Sequence, residues 1–256
     1  MKPKKWLGQH FLKNKKILED ICEVAELSKK DVVLEVGPGR GELTEFLAER
    51  AGKIIAVEKD HELIPYLHEK FKNVKNVQIV QADILKTKDY KLKTINYKVV
   101  ANLPYYITSR FLRTFLEAKT KPKLMVLMVQ YEVAKRICAK PPEMNLLALS
   151  VQAYGRPKFL RKVPRGNFSP PPKVDSGVIK ISGISDGWFR KNKISEKRFF
   201  EILRRAFQQK RKMLRNSIGN FNLPKKYQNR RPQELSLQDW KKLINHTRKF
   251  PSCRPK

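Results

Sequence analysis

Short apolar runs alternate with stretches of helical spacing along the first half of this chain. Ile17, Ile21, Val24, Ala25 and Leu27 recur at near-helical intervals, and the run Val32-Val33-Leu34-Glu35-Val36 that follows is closed by glycine. A continuous apolar run of that length predicts a strand buried on both faces. Leu43, Phe46 and Leu47 give one face of a helix over 42–50, and Ile54-Ile55-Ala56-Val57 predicts a second strand ending at Glu58. A helix is expected over 61–71. Val77-Gln78-Ile79-Val80 predicts a third strand, followed by Gln81-Ala82-Asp83, and Tyr97 to Ala101 a fourth, leading into Asn102. Strands alternating with helices build βαβ units, so the pattern specifies an α/β class with a mostly parallel sheet. Ligands of such sheets bind outside the carboxyl ends of the strands. Positions 37, 58, 83 and 102 each follow such an end.

The second half is less regular. Leu124 to Val129 predicts a further strand, 146–154 fits strand or helix, and 174–181 alternates as a closing strand. Phe168-Ser169-Pro170-Pro171-Pro172 reads as a rigid loop, because each proline fixes φ and lacks a donor. Gly183 to Gly187 reads as a linker, which divides a domain of residues 1–182 from one of residues 183–256. In the latter, Ser195-Glu196 opens a helix whose apolar face runs through Phe199, Leu203, Phe207, Leu214 and Ile218, and a last helix is expected over 238–245.

Composition adds a partner to this picture. The chain has 256 residues, with 56 Lys+Arg against 24 Asp+Glu and a formal net charge of +32. That excess is too large for an ordinary enzyme of small metabolites and favours a polyanion, whose condensed counterions are released as its phosphates are neutralised. The charge is uneven: residues 181–256 carry 21 basic and 5 acidic side chains, a net of +16 in 76 residues, whereas the same net is spread over residues 1–180. Arg204, Lys210, Arg211 and Arg215 are the candidate RNA contacts in this basic third. No run approaches the ~18 apolar residues of a membrane span. Cys22, Cys138 and Cys253 form no C-x-x-C pair, and the four histidines are scattered. No metal site or disulfide framework is expected, and a reducing, cytoplasmic location is.

The glycine turn Gly37-Pro38-Gly39-Arg40-Gly41 lies between a strand and a helix and lets a ligand approach the backbone. The dinucleotide fingerprint needs glycine at position 42, where this chain has Glu. A glutamate there repels a pyrophosphate but tolerates the zwitterionic tail of S-adenosylmethionine. Glu58 can accept from ribose hydroxyls, as acidic strand ends do in dinucleotide folds, and Asp83 can accept from an adenine amine. Asn102-Leu103-Pro104-Tyr105 suits an exocyclic amine of a flat ring. The Asn102 side-chain carbonyl and the Leu103 main-chain carbonyl would bind the amine hydrogens, Pro104 would fix the turn, and Tyr105 would stack on the base. Catalysis would then come from positioning the nitrogen in line with the methyl group. Phe168 is the candidate for the opposite face of the base, since an extruded base is commonly held between apolar or aromatic side chains.

These residues carry a family resemblance. The chain resembles the ribosomal RNA adenine dimethyltransferases of the small subunit, through Gly8-Gln9-His10-Phe11-Leu12, Glu35-Val36-Gly37-Pro38-Gly39-Arg40-Gly41 and Asn102-Leu103-Pro104-Tyr105-Tyr106-Ile107. It also does so through Phe168-Ser169-Pro170-Pro171-Pro172-Lys173-Val174-Asp175-Ser176 and Gln209-Lys210-Arg211-Lys212-Met213-Leu214-Arg215-Asn216. The resemblance implies a Rossmann-like methyltransferase domain followed by a small helical domain. It implies S-adenosylmethionine as cofactor, two adjacent adenosines near the 3′ end of small-subunit RNA as target, and a late role in assembly of the pre-small-subunit particle. By family pattern, His10 and Leu12 join Gly37, Gly39, Glu58, Asp83 and Asn102 around the cofactor; many members carry Asn where His10 stands. The macrolide-resistance enzymes acting on large-subunit RNA are a sister reading, but usually have Ile in place of Leu103. DNA adenine methyltransferases typically have a second proline there. A non-catalytic assembly factor that keeps the fold is a third reading. A monomer is the default expectation.

Overall fold

The computed structural model describes residues 4, 8–86, 96–218 and 223–246; Cys253 lies outside them. In chain order the strands are β1 (Phe11–Leu12), β2 (Val32–Val36), β3 (Lys53–Glu58), β4 (Val77–Gln81), β5 (Tyr97–Asn102), β6 (Leu124–Gln130), β7 (Arg156–Val163), β8 (Phe168–Ser169) and β9 (Ser176–Ser182). The helices used below are α1 (Lys15–Val24), α2 (Glu42–Arg50), α3 (Leu63–Phe71), α4 (Thr108–Leu116), α5 (Tyr131–Ile137), α6 (Leu146–Gln152), α7 (Gly187–Asn192), α8 (Glu196–Gln208), α9 (Leu214–Ser217), α10 (Lys225–Gln228) and α11 (Leu237–His246). The chain divides into two compact units, residues 1–135 with 155–184, and residues 136–154 with 185–256. Segment 136–154, assigned from sequence to the first domain, thus groups with the C-terminal residues, and its ambiguous stretch is the helix α6.

A seven-stranded sheet in the order β4-β3-β2-β5-β6-β9-β7 organises the first unit. The strands β4 to β6 are parallel, and β9 runs antiparallel to both β6 and β7. Val33 and Leu34 of β2, Ile54 and Ala56 of β3 and Val99 and Val100 of β5 are fully buried, which is why these strands read as unbroken apolar runs. The chain order reverses between β2 and β5: β3 and β4 lie on one side of β2, and β5 and β6 on the other. A crevice opens at such a switch point, beyond the carboxyl ends of the two strands. Both the glycine turn after β2 and the Asn102–Tyr105 segment after β5 are delivered to it.

Two elements depart from expectation. The edge strand β7 has no clean period in the sequence. It carries Arg156, Lys158, Arg161 and Lys162 and is bulged between Phe159 and Arg161, both devices that discourage pairing with another chain. In the second unit the expected helix through Ile218 is broken. α8 buries Phe199, Ile202, Leu203 and Ala206 and stops at Gln208, and Leu214 starts the separate α9. Lys210, Arg211 and Lys212 are consecutive cations with no acid one turn away to offset their repulsion. The Leu214 amide donates instead to the Arg230 carbonyl (2.8 Å). Among the described residues no helix is long and apolar enough to cross a membrane.

Candidate active site

Gly37, Gly39 and Gly41 all have positive φ (67°, 62° and 81°), a region that costs L side chains about 1–2 kcal/mol. The turn they form wraps the end of β3. The Gly39 amide donates to Glu58 Oε2 (3.1 Å), while the Lys59 and Asp60 amides donate to Oε1 (2.8 Å each). Burial pushes the Glu58 carboxyl up, against the lowering effect of these three amides. A carboxylate has about four lone-pair sites, so Glu58 retains acceptor capacity toward a ligand. The turn also abuts the second motif: a Cβ on Gly37 would lie 3.6 Å from Pro104 Cδ.

The N-terminal segment completes the wall. β1 pairs with β8 in a two-stranded ladder, and the His10 ring nitrogen Nδ1 lies 2.8 Å from the Pro170 carbonyl. Further upstream, Asp60 holds the segment with one oxygen on Lys4 Nζ and the other on Gln9 Nε2, both at 2.7 Å. Burial raises the Asp60 carboxyl, but the hydrogen bonds from Lys4, Gln9 and the Glu62 amide, with the Lys4 charge, together outweigh it and the net shift is downward. Neither Asp60 nor Gln9 was named from the sequence as a site residue. The signals were the place of Gln9 within the Gly8–Leu12 motif and that of Asp60, two positions after a strand-end glutamate.

A cavity of about 340 Å³ results, lined by His10, Leu12, Gly37, Gly39, Glu58, Asp83, Asn102, Leu103, Pro104 and Tyr105 among others. Asp83 sits beyond β4 with Oδ1 accepting from the Leu85 amide (3.0 Å) and Oδ2 paired with Lys59 (3.1 Å). Asn102 Nδ2 donates to the His10 carbonyl (3.3 Å). That bond settles the amide orientation and leaves Oδ1 as the available acceptor. Leu103 is buried and its amide is taken by the Met128 carbonyl (3.0 Å). Tyr105 is fixed by a hydrogen bond between its hydroxyl and that of fully buried Ser176 (2.7 Å). Its ring lies 6.2 Å from that of His10 at an interplanar angle of 26°. Phe168 is 3% exposed, belongs to the same core cluster as Leu12, its partner in the β1–β8 ladder, and is not among the residues that line the cavity. From the same motif, Ser176 bonds to Tyr105 and the Pro170 carbonyl meets His10, both in the cavity wall.

The carboxyl groups of Glu35, Glu42, Glu58 and Asp83 line the cavity, together with Lys59, Lys86 and Arg110. Glu35 is 1% exposed, its carboxylate accepts from Thr44 Oγ1 (2.7 Å), and burial pushes its pKa up to about 8. Burial raises Glu42 as well. A carboxyl raised by folding contributes stability that is fully present below its unfolded pKa and lost as pH rises through the folded one. Glu35→Gln, which keeps an acceptor for Thr44, is therefore expected to gain stability over the wild type between pH 5 and 8, by about 3 kcal/mol near neutrality. Urea midpoints of the two proteins at both pH values test this; a difference that does not grow with pH would refute it. Among the described residues no group of three or more His, Cys, Asp or Glu is arranged to hold a metal. Arg204, Lys210, Arg211 and Arg215 are all exposed residues of the second unit.

Known proteins are similar to this chain in sequence and in fold. The chain is 46% identical over 261 residues to ribosomal RNA small subunit methyltransferase A of Dehalococcoides mccartyi, covering 95% of this chain and 88% of the relative. It is 40% identical to the protein of the same name from Clostridium botulinum, covering 93% and 91%. Among solved structures, a dimethyladenosine transferase from Plasmodium falciparum superposes with a TM-score of 0.81 at 27% identity, over 94% of this chain and 98% of that one. The 23S rRNA methyltransferase ErmE does so with a TM-score of 0.75 at 25% identity, over 93% and 99%. The family model for ribosomal RNA adenine dimethylase matches residues 1–242, and the chain belongs to that family.

Proposed function

We propose that this protein is an adenine-N6 dimethyltransferase of small-subunit ribosomal RNA. It uses S-adenosylmethionine, acts on two adjacent adenosines near the RNA 3′ end, and contributes to small-subunit biogenesis. The observation that carries the reading is one cavity that gathers the glycine turn, Glu58, Asp83 and the Asn102–Tyr105 segment in a chain of net charge +32. An adenosyl donor beside a base amine suits the first feature and a polyanionic acceptor the second. S-adenosylmethionine supplies an electrophilic methyl group on a positively charged sulfur. The glycine turn and Glu58 would hold its ribose end, Asp83 its adenine, and His10 and Leu12 the adjoining wall.

On the target side, delocalisation of the amine lone pair makes the nitrogen a weak nucleophile. Asn102 Oδ1 and the Leu103 carbonyl can accept the amine hydrogens, and the Tyr105 ring, held by Ser176, can bear on the base. The work is positioning and electrostatic preorganisation, with no side chain required as a strong base. The exposed cations of the second unit would supply affinity for the phosphate backbone. One chain provides the whole cavity, which supports action as a monomer, and a ribosomal substrate supports a cytoplasmic one. The relatives at 40–46% identity are named for the small subunit, whereas the likeness to the 23S enzyme stands at 25%.

The test is mass mapping of dimethyladenosine in small-subunit RNA from cells lacking and then regaining this protein. Its loss and return are expected; unchanged small-subunit RNA, with the mark moving in the large subunit instead, would overturn the choice of substrate. On the cofactor side, Glu58→Ala is expected to weaken donor binding at least tenfold while RNA affinity holds. Calorimetry returning the wild-type donor affinity would remove Glu58 from the site.

A further inference from the structure

Tyr105 and Tyr106 are adjacent in the chain and are treated oppositely by the fold. Tyr105 is turned to Ser176 and held there. Tyr106 is 58% exposed, more than any other large apolar side chain among the described residues. Its ring lies beside Gly8, where an added Cβ would be 3.7 Å from Tyr106 Cδ1 and 3.9 Å from Cε1. The ring nevertheless lines the mouth of the donor cavity.

Tyr106 belongs to the turn Tyr105–Ile107 that leads into α4, so Arg110 follows it one helical turn later, on the same side. Arg110 is exposed and lines the same mouth, and among the described residues no carboxylate pairs with it. Further along α4, Arg113 is paired with Glu117 (3.2 Å). The opposite side of the helix buries Phe111, Leu112 and Phe115. An exposed tyrosine or arginine is ordinary by itself. Here the two stand together at a cavity also lined by Tyr105, one residue away, the proposed platform for the target base.

We infer that Tyr106 and Arg110 form a subsite for the nucleotide beside the target adenosine. Tyr106 stacks on the neighbouring base, and Arg110 meets the phosphate that joins it to the target. The inference rests on the RNA-methyltransferase reading above. Drawing one base into a pocket leaves its neighbour unstacked on one face, and an exposed ring beside the pocket replaces that lost contact. Every base has a π-face, so such a platform fixes position without selecting sequence. The guanidinium has no carboxylate competitor among the described residues to displace when a phosphate arrives.

The experiment uses the full chain and under-methylated small-subunit particles. Tyr106→Ala and Tyr106→Leu are each expected to lower kcat/KM about tenfold, while Tyr106→Phe retains the wild-type value and donor affinity is unchanged in all three. Arg110→Ala is expected to reduce the slope of log kcat/KM against log salt by about one unit, with Arg110→Lys close to wild type. Tyr106→Leu performing as well as Tyr106→Phe would overturn the stacking role. A fall in donor affinity matching the fall in activity would assign Tyr106 to the cofactor instead and overturn it equally, and an unaltered salt slope would remove Arg110. If the wild type fails to methylate the particles, the functional reading itself fails; if the wild type is active and Tyr106→Ala is too, only the subsite does.

Discussion

Asn102→Ala is expected to lower kcat/KM for methyl transfer by about 10²- to 10³-fold, the scale on which losing one preorganised hydrogen-bonding partner at a reacting centre is felt. The side chain is aimed by its bond to the His10 carbonyl at 3.3 Å, so that the remaining oxygen is held without reorganisation when the amine arrives. Alanine removes both the acceptor and the tether. Donor affinity should fall far less, within about tenfold, because Glu58 and the glycine turn are untouched. Asn102→Asp is informative as a partner variant. It keeps an acceptor but sets a second oxygen against the His10 carbonyl, so it should recover little activity. Single-turnover methylation of small-subunit particles, paired with calorimetry on the donor, measures the two effects separately. An alanine variant within threefold of the wild-type rate would dismiss residue 102 from the chemistry.

Gly41→Ala should be the most damaging single-methyl change around the donor cavity. Its φ of 81° costs an L residue about 1–2 kcal/mol. The new Cβ would also lie 2.6 Å from Phe71 Cε2 and 2.8 Å from Cζ, inside the satellite core of Leu63, Leu67 and Phe71. Overpacking of that kind costs about 1–3 kcal/mol more, giving about 2–5 kcal/mol in total. Gly37→Ala is the control. It pays the same backbone cost, but its Cβ would meet Pro104 at an ordinary 3.6 Å. Denaturant midpoints at constant m-value compare the two, and equal midpoints would rule out the clash.

The parallel strands were legible because both of their faces are buried. β2, β3, β5 and β6 appear as apolar runs, and the residues at the carboxyl ends of β2, β3, β4 and β5 that line the cavity stood out as candidates because ligands of such sheets bind there. Three features were not legible, each for a physical reason. β7 hides because an edge strand carries charges and a bulge where an inner strand carries aliphatics. The break between α8 and α9 hides because Phe199, Leu203, Phe207, Leu214 and Ile218 keep helical spacing across a segment that bonds elsewhere. The burial of Phe168 was not legible because a phenylalanine beside prolines looks the same in sequence whether it faces a ligand or the core. The hydroxyl of Ser176, which holds Tyr105, leaves no periodic trace either. Asp60 is similar, since its partners Lys4 and Gln9 lie 56 and 51 residues upstream.

The ladder between β1 and β8 sets a timetable for biosynthesis. Asn14 hydrogen-bonds to Asn167 across 153 residues of chain, and the Lys13 amide donates to the Asn167 carbonyl. At ~5–20 residues added per second, the N-terminal strand emerges from a ribosome and waits roughly 8–30 s for its complement. The glycine turn, Asp60 and Asn102 are made in the meantime and supply partners for Lys4, Gln9 and His10, but β1 still lacks its ladder. A nascent fragment interrupted before residue 168 would thus carry most of the recognisable motifs and still lack a closed donor chamber, so competence arrives only with the last third of translation.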